Sequence, residues 1–306
     1  MTKNKKLSVV ISAFNEEKKI GECLSSVSFA DEVILVDNSS TDSTVEIAKK
    51  HHASVFSRPN NLMLNVNKNF GFSKATGGWI LSLDADERIT PELKEEILSA
   101  INLENDITGY YIPRKNIILG KWIQHAGWYP DFQLRLFQND RGKFAEQHVH
   151  EMLEVEGRTQ ELKECMLHYN YDSVNHFLSK LCFIYAPNEA DVLLKKGYVL
   201  DFFDIFRFPA KEFISRFFAR EGYKDGVHGL VLSLMMSFYH LIVFVYIWEK
   251  KGFVEEKSFN VLEKTEVELK RIHREISYWI VNEKIKSAGV PLRKLQLRLK
   301  RKLLNL

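Results

Sequence analysis

The sequence predicts an α/β fold with a mostly parallel central sheet, followed by a helical C-terminal region. Two patterns in the first half carry this prediction: short apolar runs rich in β-branched residues, and amphipathic stretches that alternate with them. Strands that alternate with helices form right-handed βαβ units, and these units build a parallel sheet. A third pattern is the 22-residue stretch Val227–Trp248, which contains no Asp, Glu, Lys or Arg and predicts a long apolar helix.

The elements of the N-terminal part follow in order. Strands are predicted at Leu7–Ser12, Glu32–Asp37, Ala53–Phe56 and Gly77–Leu83. Helices are predicted between them at Glu16–Val27, Asp42–Lys50 and Asn65–Ala75, and a further helix begins at Thr90-Pro91. Thr is a favoured helix cap and Pro a favoured first helical residue. This order is typical of a nucleotide-binding half-domain.

The pattern changes after Gly109. The next strand candidates are Tyr110–Pro113, Phe132–Phe137 and His148–Val155, whose spacing suits antiparallel pairing better than βαβ units. An amphipathic helix is predicted at His176–Lys195. We therefore expect a nucleotide-binding catalytic domain over residues 5–172 and a helical region rich in basic and aromatic residues over 173–306.

Composition narrows the class of protein. A length of 306 residues suits one large domain with a substantial appendage, and a net charge of +3 argues against a chain committed as a whole to nucleic acid. Its three cysteines lack metal-binding spacing and cannot all pair, which suits a reducing compartment. The basic N-terminus is followed by too few apolar residues for a signal-peptide core. We expect the chain to stay on the cytoplasmic side.

The apolar stretch Val227–Trp248 is open to two interpretations. It is long enough to span a bilayer, but His228 and His240 within it suit a buried helix, or one lying in the membrane plane, equally well. Phe202–Gly222 before it and Pro291–Leu306 after it mix basic residues with Phe or Leu, as interfacial helices do. We expect a membrane surface as a partner and no nucleic acid.

The strongest chemical signal is the run WILSLDADE at Trp79–Glu87. Its apolar part predicts a strand, and the strand ends where Asp84 and Asp86 follow. Carboxylate oxygens suit Mg²⁺ or Mn²⁺, which keep open positions for phosphate oxygens. Open α/β sheets bind their ligands at the carboxyl ends of the strands. The position therefore favours a metal–phosphate site over an ordinary acidic turn.

Three more polar clusters accompany the predicted strands: SAFNEE at 12–17, DNSSTD at 37–42, and Lys68-Asn69 on a helix. Asp37 can accept from a nucleobase N–H, and Lys68 can meet a phosphate as a point charge. Taken alone, each cluster is better explained as a loop or a helix cap than as a ligand site, and Asp42 in particular suits a cap. Together with Asp84-Ala85-Asp86, however, they make four such clusters at successive strand ends, which favours a ligand site. No glycine-rich phosphate loop occurs, so neither a P-loop nor a dinucleotide fingerprint is predicted.

Four segments give the chain a specific resemblance: SVVISAFNEE, EVILVDNSSTDST, NKNFGFSKATGGWILSLDADE and LFQNDRGKFAEQHVHE. Together they resemble glycosyltransferase family 2 enzymes with the GT-A fold. LHYNY at 167–171 and RFFAREGYKDGVHG at 216–229 are similar to the WaaE/KdtX-type subgroup of lipopolysaccharide core β-glucosyltransferases. The resemblance covers about Leu7 to Trp248 and implies a nucleotide-sugar donor and a divalent metal, Mg²⁺ or Mn²⁺.

The resemblance also implies roles for individual residues. Nucleoside contacts fall on Ala13, Asn15, Glu16 and Asp37, with Asp42 shaping the same pocket. Asp84 would face the ribose or the metal, and Asp86 the metal and the diphosphate. The family often has proline at the position of Ala13 and an acid at that of Gly78, and neither departure removes a ligand.

Transfer to an acceptor hydroxyl needs a base, and a carboxylate opposite the leaving diphosphate can serve. Glu151 in HVHE matches the acidic position that the family uses, and Asp131 in WYPD is the alternative. His168 resembles a late histidine that GT-A enzymes often supply to the metal, although a structural role beside aromatics fits it equally well. His148 and His150 alternate on one predicted strand face but lack a third zinc ligand.

A sugar acceptor would need a platform of its own. Trp122, His125 and Trp128 can form one, and we expect Trp128 to contact substrate. Core packing explains the two tryptophans equally well.

The sequence thus predicts an inverting, metal-dependent glycosyltransferase. We expect a UDP-sugar donor carrying a hexose, with glucose favoured, and a lipid-anchored glycan acceptor such as lipopolysaccharide core. The expected location is the cytoplasmic face of a bacterial inner membrane, with peripheral or monotopic attachment. Two alternatives stay open: a nucleotidyltransferase, which would normally carry a glycine-rich basic loop where SAFNEE stands, and a catalytically silent scaffold at the membrane surface.

Overall fold

The computed structural model of the chain describes residues 5–60, 64–145, 152–256 and 258–304. The chain forms two compact units. The first contains Met1–Ile118 and Tyr129–Asn170, and the second contains Leu119–Trp128 and Tyr171–Leu306.

The first unit is built on one mixed sheet. Its strands are β1 Leu7–Ala13, β2 Glu32–Asp37, β3 Ser54–Ser57, β4 Trp79–Asp84, β5 Glu87–Arg88, β6 Ile107–Ile118, β8 Asp131–Gln138, β11 Arg158–Glu161 and β12 Met166–Tyr171. They lie in the order β3-β2-β1-β4-β8-β6-β12-β5, and β11 pairs with β6. The first four are mutually parallel, and β8 pairs antiparallel with both β4 and β6. The predicted α/β class with a mainly parallel sheet is confirmed.

Helices and short strands complete this unit. The helices are α1 Ile20–Ser26, α2 Thr44–Lys50, α3 Leu64–Phe72 and α4 Pro91–Asn102, and β9 Gly142–Lys143 pairs with β10 Glu154–Val155. The α4 cap is Thr90, whose hydroxyl accepts from the Leu93 N–H at 3.2 Å, as predicted. The predicted start of α2 at Asp42 is wrong by two residues. The Asp42 carboxylate accepts from the backbone N–H of Thr44, which keeps Asp42 in the loop before the helix.

Both faces of the parallel sheet are buried, which explains the unbroken apolar strands. Leu7, Val9 and Ile11 of β1 belong to one core cluster, and Val10 belongs to the other. This division follows from the alternation of side chains along a strand. The sheet is therefore held from both sides, and its carboxyl edge stays free to carry polar groups.

The second unit is mainly helical. It contains β7 Lys121–Trp122, α5 Val174–Lys180, α6 Ala186–Lys195, α7 Asp204–Ile214, α8 Val227–Lys250, α9 Ser258–Ser287 and α10 Pro291–Leu304. Two π-helical turns, Leu181–Tyr185 and Ser215–Ala219, follow α5 and α7, and a 3-10 turn covers Gly222–Asp225. Among the described residues, α8 is the one helix whose length and composition would allow it to cross a membrane, and 39% of its most apolar window is buried.

Gly71 lies where α3 packs closely against the sheet. A Cβ at this position would lie 2.5 Å from Val10 Cγ1 and 2.8 Å from Val36 Cγ2, whereas a Cβ at Gly78 would meet nothing within 4 Å. We predict that Gly71→Ala destabilises the protein by about 1–3 kcal/mol through overpacking, partly offset by the better helix propensity of Ala. The matched Gly78→Ala variant should melt within a degree or two of wild type, by the small effects usual for open surface sites. Thermal unfolding of both variants measures this, and equal melting temperatures would contradict it.

Candidate active site

The loops that follow β1 and β2 are bound to each other. Asn15 Oδ1 accepts from the Thr41 N–H at 2.8 Å, and the Asn15 N–H donates to Ser40 Oγ at 3.0 Å. The Glu16 N–H donates to Thr44 Oγ1 at 2.8 Å. Asn15 and Ser39 both have left-handed backbone conformations, with φ of 54° and 65°. Such strain persists only where the surroundings hold it, and it is common at binding sites.

Asp42 joins these loops at their outer end. Its two oxygens accept from Thr44 Oγ1 at 2.6 Å and from the Glu17 N–H at 3.1 Å. Burial opposes ionisation, but the hydrogen bonds from Thr44 and Glu17 outweigh it and lower the pKa of this carboxyl. Asp42 therefore holds both loops in place, which suits a residue that shapes the pocket and also explains the cap-like sequence signal.

A buried amide network lies beneath the loops. Asn38 Nδ2 donates to Ser12 Oγ at 3.0 Å and to the Ala13 carbonyl at 2.9 Å, and Asn38 Oδ1 accepts from Asn67 Nδ2. Asp37 is only 3% exposed, and its Oδ1 accepts from the Ser40 N–H at 3.0 Å. The structure thus brings together Ala13, Asn15, Glu16, Asp37 and Asp42 at one edge of the sheet.

Asp84, at the end of β4, lies between two cations. Its carboxylate oxygens are 2.6 Å from Lys68 Nζ and 2.6 Å from Arg135 Nη2. Burial alone would raise the pKa of Asp84, but the charges of Arg135 and Lys68 hold that pKa well below its usual range. With 34% of its side chain exposed, Asp84 is the most accessible member of this group. Lys68 and Asp84 therefore meet as the sequence predicts.

These three residues begin a longer chain of alternating charges. Arg135 also contacts Glu87 at 2.6 Å, Glu87 contacts Arg114 at 3.4 Å, and Arg114 contacts Asp131 at 2.7 Å. Three cations and three anions follow one another in strict alternation from Lys68 to Asp131. Glu87 is fully buried and also accepts from the Asp84 N–H at 2.9 Å. Buried charges of this kind are tolerated only when each one is paired.

Asp86 lies on the other side of the same turn and faces His168. Asp86 Oδ2 is 3.6 Å from His168 Nε2, and His168 Nδ1 is 2.7 Å from Asn116 Oδ1. Because Asn116 Nδ2 donates to Asp131, its Oδ1 is left to accept from His168, so Nδ1 carries a proton. Burial opposes ionisation of Asp86, but the hydrogen bond and charge of His168 lower its pKa. An imidazole oriented in this way is typical of a metal ligand.

Asp131 is surrounded by donors. Its oxygens accept from Arg114 Nε at 2.9 Å, from Asn116 Nδ2 at 3.0 Å and from Gln133 Nε2 at 2.8 Å. Burial would raise its pKa, but the charge of Arg114 and the hydrogen bonds of Asn116 and Gln133 lower it. A carboxylate held ionised by three donors is a weak base. These contacts suit a structural role better than the catalytic one.

Some predicted site residues cannot be placed in this arrangement. Glu151, the favoured base, lies outside the described residues, as do His148 and His150. Within the described ranges, no three His, Cys, Asp or Glu side chains are grouped closely enough to hold a metal by themselves.

Trp128 belongs to the second unit, in a loop held by a different set of contacts. The guanidinium of Arg216 lies 5.3 Å from the centre of a Trp128 ring, and Arg216 Nη1 donates to the Ala126 carbonyl at 2.8 Å. Asp225, only 3% exposed, accepts from the His125 N–H at 2.8 Å and lies 3.2 Å from His125 Nδ1. The loop of Trp122, His125 and Trp128 is thus fixed within its own unit.

Four side chains of the site were given no role from the sequence: Arg114, Arg135, Asn38 and Asn67. Arg135 interrupts the apolar run FQLRLF of β8, and a charge within a buried strand is a signal that was available. Arg114, Asn38 and Asn67 carry no such signal, because their partners lie elsewhere in the sequence.

Known proteins resemble this chain over most of its length. The family model described as Glycosyl transferase family 2 matches residues 8–153. An uncharacterized glycosyltransferase of Rickettsia conorii is 31% identical over 253 residues, covering 77% of this chain and 88% of the relative. The lipopolysaccharide core biosynthesis glycosyltransferase LpsC of Rhizobium meliloti is 23% identical over 252 residues, covering 80% and 92%. The solved structure of S. aureus TarS 1-349 in complex with UDP is 16% identical, with a TM-score of 0.43, covering 82% of this chain and 93% of that one.

Arg135→Met tests the alternating charges. Removal of this cation leaves Asp84 and Glu87 without their shared partner, and we predict a loss of about 3–5 kcal/mol of unfolding free energy at neutral pH. The folded pKa of Asp84 lies below its unfolded value, so its stabilising contribution is present above about pH 4 and is lost as pH falls through the folded pKa. The difference between wild type and variant should therefore persist down to about pH 4 and shrink as the pH falls below that value.

Arg158→Met is the matched control, because the Arg158–Asp106 pair is about 70% exposed at both ends. Its removal should change stability by no more than about 1 kcal/mol. Denaturant unfolding at several pH values measures both variants. A cost for Arg135→Met no larger than that of Arg158→Met would show that the alternating charges do not stabilise the first unit.

Proposed function

This chain belongs to glycosyltransferase family 2, and we propose that it is an inverting, metal-dependent hexosyltransferase that uses a UDP-sugar donor and a lipid-anchored glycan acceptor. The observation that carries the proposal is the arrangement of charged side chains at the carboxyl end of β4. There Asp84 lies between Lys68 and Arg135, and the adjacent Asp86 faces His168. This arrangement offers cations to a diphosphate and a carboxylate–imidazole pair to a metal within a few residues.

The residues present fit Mg²⁺ or Mn²⁺. Asp86 supplies hard carboxylate oxygens, and His168 supplies an imidazole nitrogen whose ring is oriented by Asn116. Sites of this kind bind the metal through one or two carboxylates together with substrate phosphates. Asp86 and His168 would hold the ion, with Asp84 beside them. A bound ion would offset the negative charge that develops on the leaving diphosphate.

The nucleoside would lie on the loops after β1 and β2. The buried Asp37 carboxylate keeps one oxygen on the Ser40 N–H, and the other is suited to a donor on the base. The hydrogen bonds between Asn15 and Thr41 fix the opposite loop before any ligand arrives. A site that is ordered in advance loses less entropy on binding. UDP is the nucleotide we propose, on the strength of the family resemblance.

The reaction would be a single displacement. The acceptor oxygen attacks the anomeric carbon, the bond from that carbon to the diphosphate oxygen breaks, and UDP leaves from the opposite face with inversion. The acceptor proton passes to a carboxylate, for which we propose Glu151. Lys68 and Arg135 would stabilise the charge on the departing diphosphate, since preorganised cations act most strongly at a site removed from water.

Similarity to LpsC, a lipopolysaccharide core biosynthesis glycosyltransferase, supports a lipid-anchored glycan as the acceptor class. Glucose is the hexose we propose, and the cytoplasmic face of a bacterial inner membrane is the proposed location. Both follow from the subgroup resemblance of the sequence.

Asp86→Ala tests the metal role. We predict that transfer from UDP-glucose falls at least about 100-fold, because the lost charge compensation is worth several kcal/mol in the transition state. Asp106→Ala, an exposed surface change, should retain full activity. Product formation over a Mn²⁺ titration measures both. If Asp86→Ala turns over normally with Mn²⁺, the metal assignment is wrong.

Glu151→Gln tests the base. The amide keeps the size of the side chain but cannot take a proton, so kcat should fall about 10²–10⁴-fold while donor affinity stays nearly constant. Glu154→Gln, an exposed neighbour, is the matched control. Steady-state kinetics and UDP binding separate the two effects. Full activity in Glu151→Gln together with a large loss in Asp131→Asn would transfer the role to Asp131.

A further inference from the structure

Helix α8 is apolar on two opposite faces, and only one of them is buried within its unit. The residues on the outer face are between 37% and 74% exposed and recur at intervals of three, four and seven: Val227, Leu230, Val231, Leu234, Phe238 and Val245. This spacing places them on one side of the helix. The α8 stripe, as we call these six residues, runs along most of a helix about 36 Å long.

The opposite face is attached to the second unit from end to end. At the start, Gly229 lies so close to Gly222 that a Cβ would be 1.8 Å from the Gly222 carbonyl oxygen. In the middle, Ser237 Oγ donates to the Pro209 carbonyl at 2.9 Å. At the end, Lys250 Nζ lies 2.9 Å from Asp191. The helix therefore lies along the unit and does not project from it.

Two glutamates of neighbouring helices contact the attached face of α8. His240 Nε2 is 3.5 Å from Glu212, and the Tyr239 hydroxyl donates to Glu189. If α8 crossed a bilayer, Glu212 and Glu189 would have to enter the hydrocarbon with it or lose these partners. Either outcome costs several kcal/mol. An orientation in the membrane plane leaves all these contacts intact.

Helix α10 supplies an independent feature of the same kind. Leu292, Leu295, Leu299 and Leu303 are 54–72% exposed, and their spacing places them on one face. Six Lys or Arg and no acid lie between Pro291 and Leu306. A leucine face bordered by cations is complementary to an anionic lipid surface.

We propose that α8 lies in the plane of an anionic bilayer, with its stripe at the boundary between headgroups and acyl chains, and that α10 adds the electrostatic contact. This inference deepens the proposed function, since it names the surface on which a lipid-anchored acceptor would be met. The stripe carries no Asp, Glu, Lys or Arg, so it can enter the boundary without burying a charge. The cations of α10 would select anionic over neutral lipid.

Vesicle binding of the full chain tests whether its partner is an anionic lipid surface. Wild type should bind phosphatidylcholine vesicles containing phosphatidylglycerol at least tenfold more tightly than pure phosphatidylcholine vesicles. Leu234→Glu combined with Phe238→Glu should weaken binding at least tenfold, whereas Leu103→Glu, an exposed leucine of the first unit, should not. Arg298→Gln combined with Lys302→Gln should lower the preference for anionic vesicles by roughly fivefold per charge. Unchanged binding in the stripe variant would overturn the proposal.

Depth measurement tests the orientation. Single cysteines at Leu230, Leu234 and Val245, placed in a Cys182→Ser background because Cys23 and Cys165 are buried, can carry an environment-sensitive fluorophore. An in-plane helix predicts the same shallow depth at all three positions. A spanning helix predicts depths that change steadily along the helix, and this result would contradict the proposal.

Two further measurements distinguish a failure of the lipid proposal from a failure of the proposed function. Hydrolysis of UDP-glucose in solution reports on the donor site and should be equal in wild type and the stripe variant, whichever way vesicle binding turns out. If the protein instead forms a dimer in solution that the stripe variant dissociates, and neither protein binds vesicles, a second copy of the chain covers the stripe and the lipid proposal is wrong.

Discussion

The chain of alternating charges from Lys68 to Asp131 is the constraint on which the first unit depends. Its members come from α3, β4, β5, β6 and β8, and each inner charge has an opposite charge on both sides. A buried charge that loses its partner is far more costly than a pair that never formed. A register shift in any of these strands would therefore leave at least one charge uncompensated. Only the observed strand order and register keep every one of these charges paired.

The same chain explains why the site lies where it does. Its inner part, around Glu87, is closed to solvent, and its accessible end, at Asp84, lies at the carboxyl edge of the parallel strands. In the function we propose, the diphosphate would meet Lys68 and Arg135 here, and an ion held by Asp86 and His168 would lie beside Asp84. Such an arrangement would keep the charges balanced throughout. The charges that stabilise the free protein would then also bind the donor diphosphate and its metal.

The sequence was sufficient for the features that depend on local pattern. The apolar runs predicted β1 to β4, and the position of Asp84 and Asp86 after one of them predicted a site at the strand ends. It was not sufficient for Arg114, Asn38 or Asn67, or for the partners of Arg135, because those partners lie elsewhere in the sequence and are brought close by the strand order. It also left α8 undecided, because a spanning helix and an in-plane helix share one composition. The contacts of Ser237 and His240 with α7 are the observations from which we propose the in-plane orientation.

We propose that the end of β4 is a preformed site for a metal and a nucleoside diphosphate. Calorimetric titration of UDP into the full chain, once with Mn²⁺ and once with EDTA, measures this, and GDP serves as the comparison nucleotide. UDP binding should strengthen at least tenfold with Mn²⁺ and exceed that of GDP under the same conditions. Equal UDP affinity with and without Mn²⁺ would contradict this proposal.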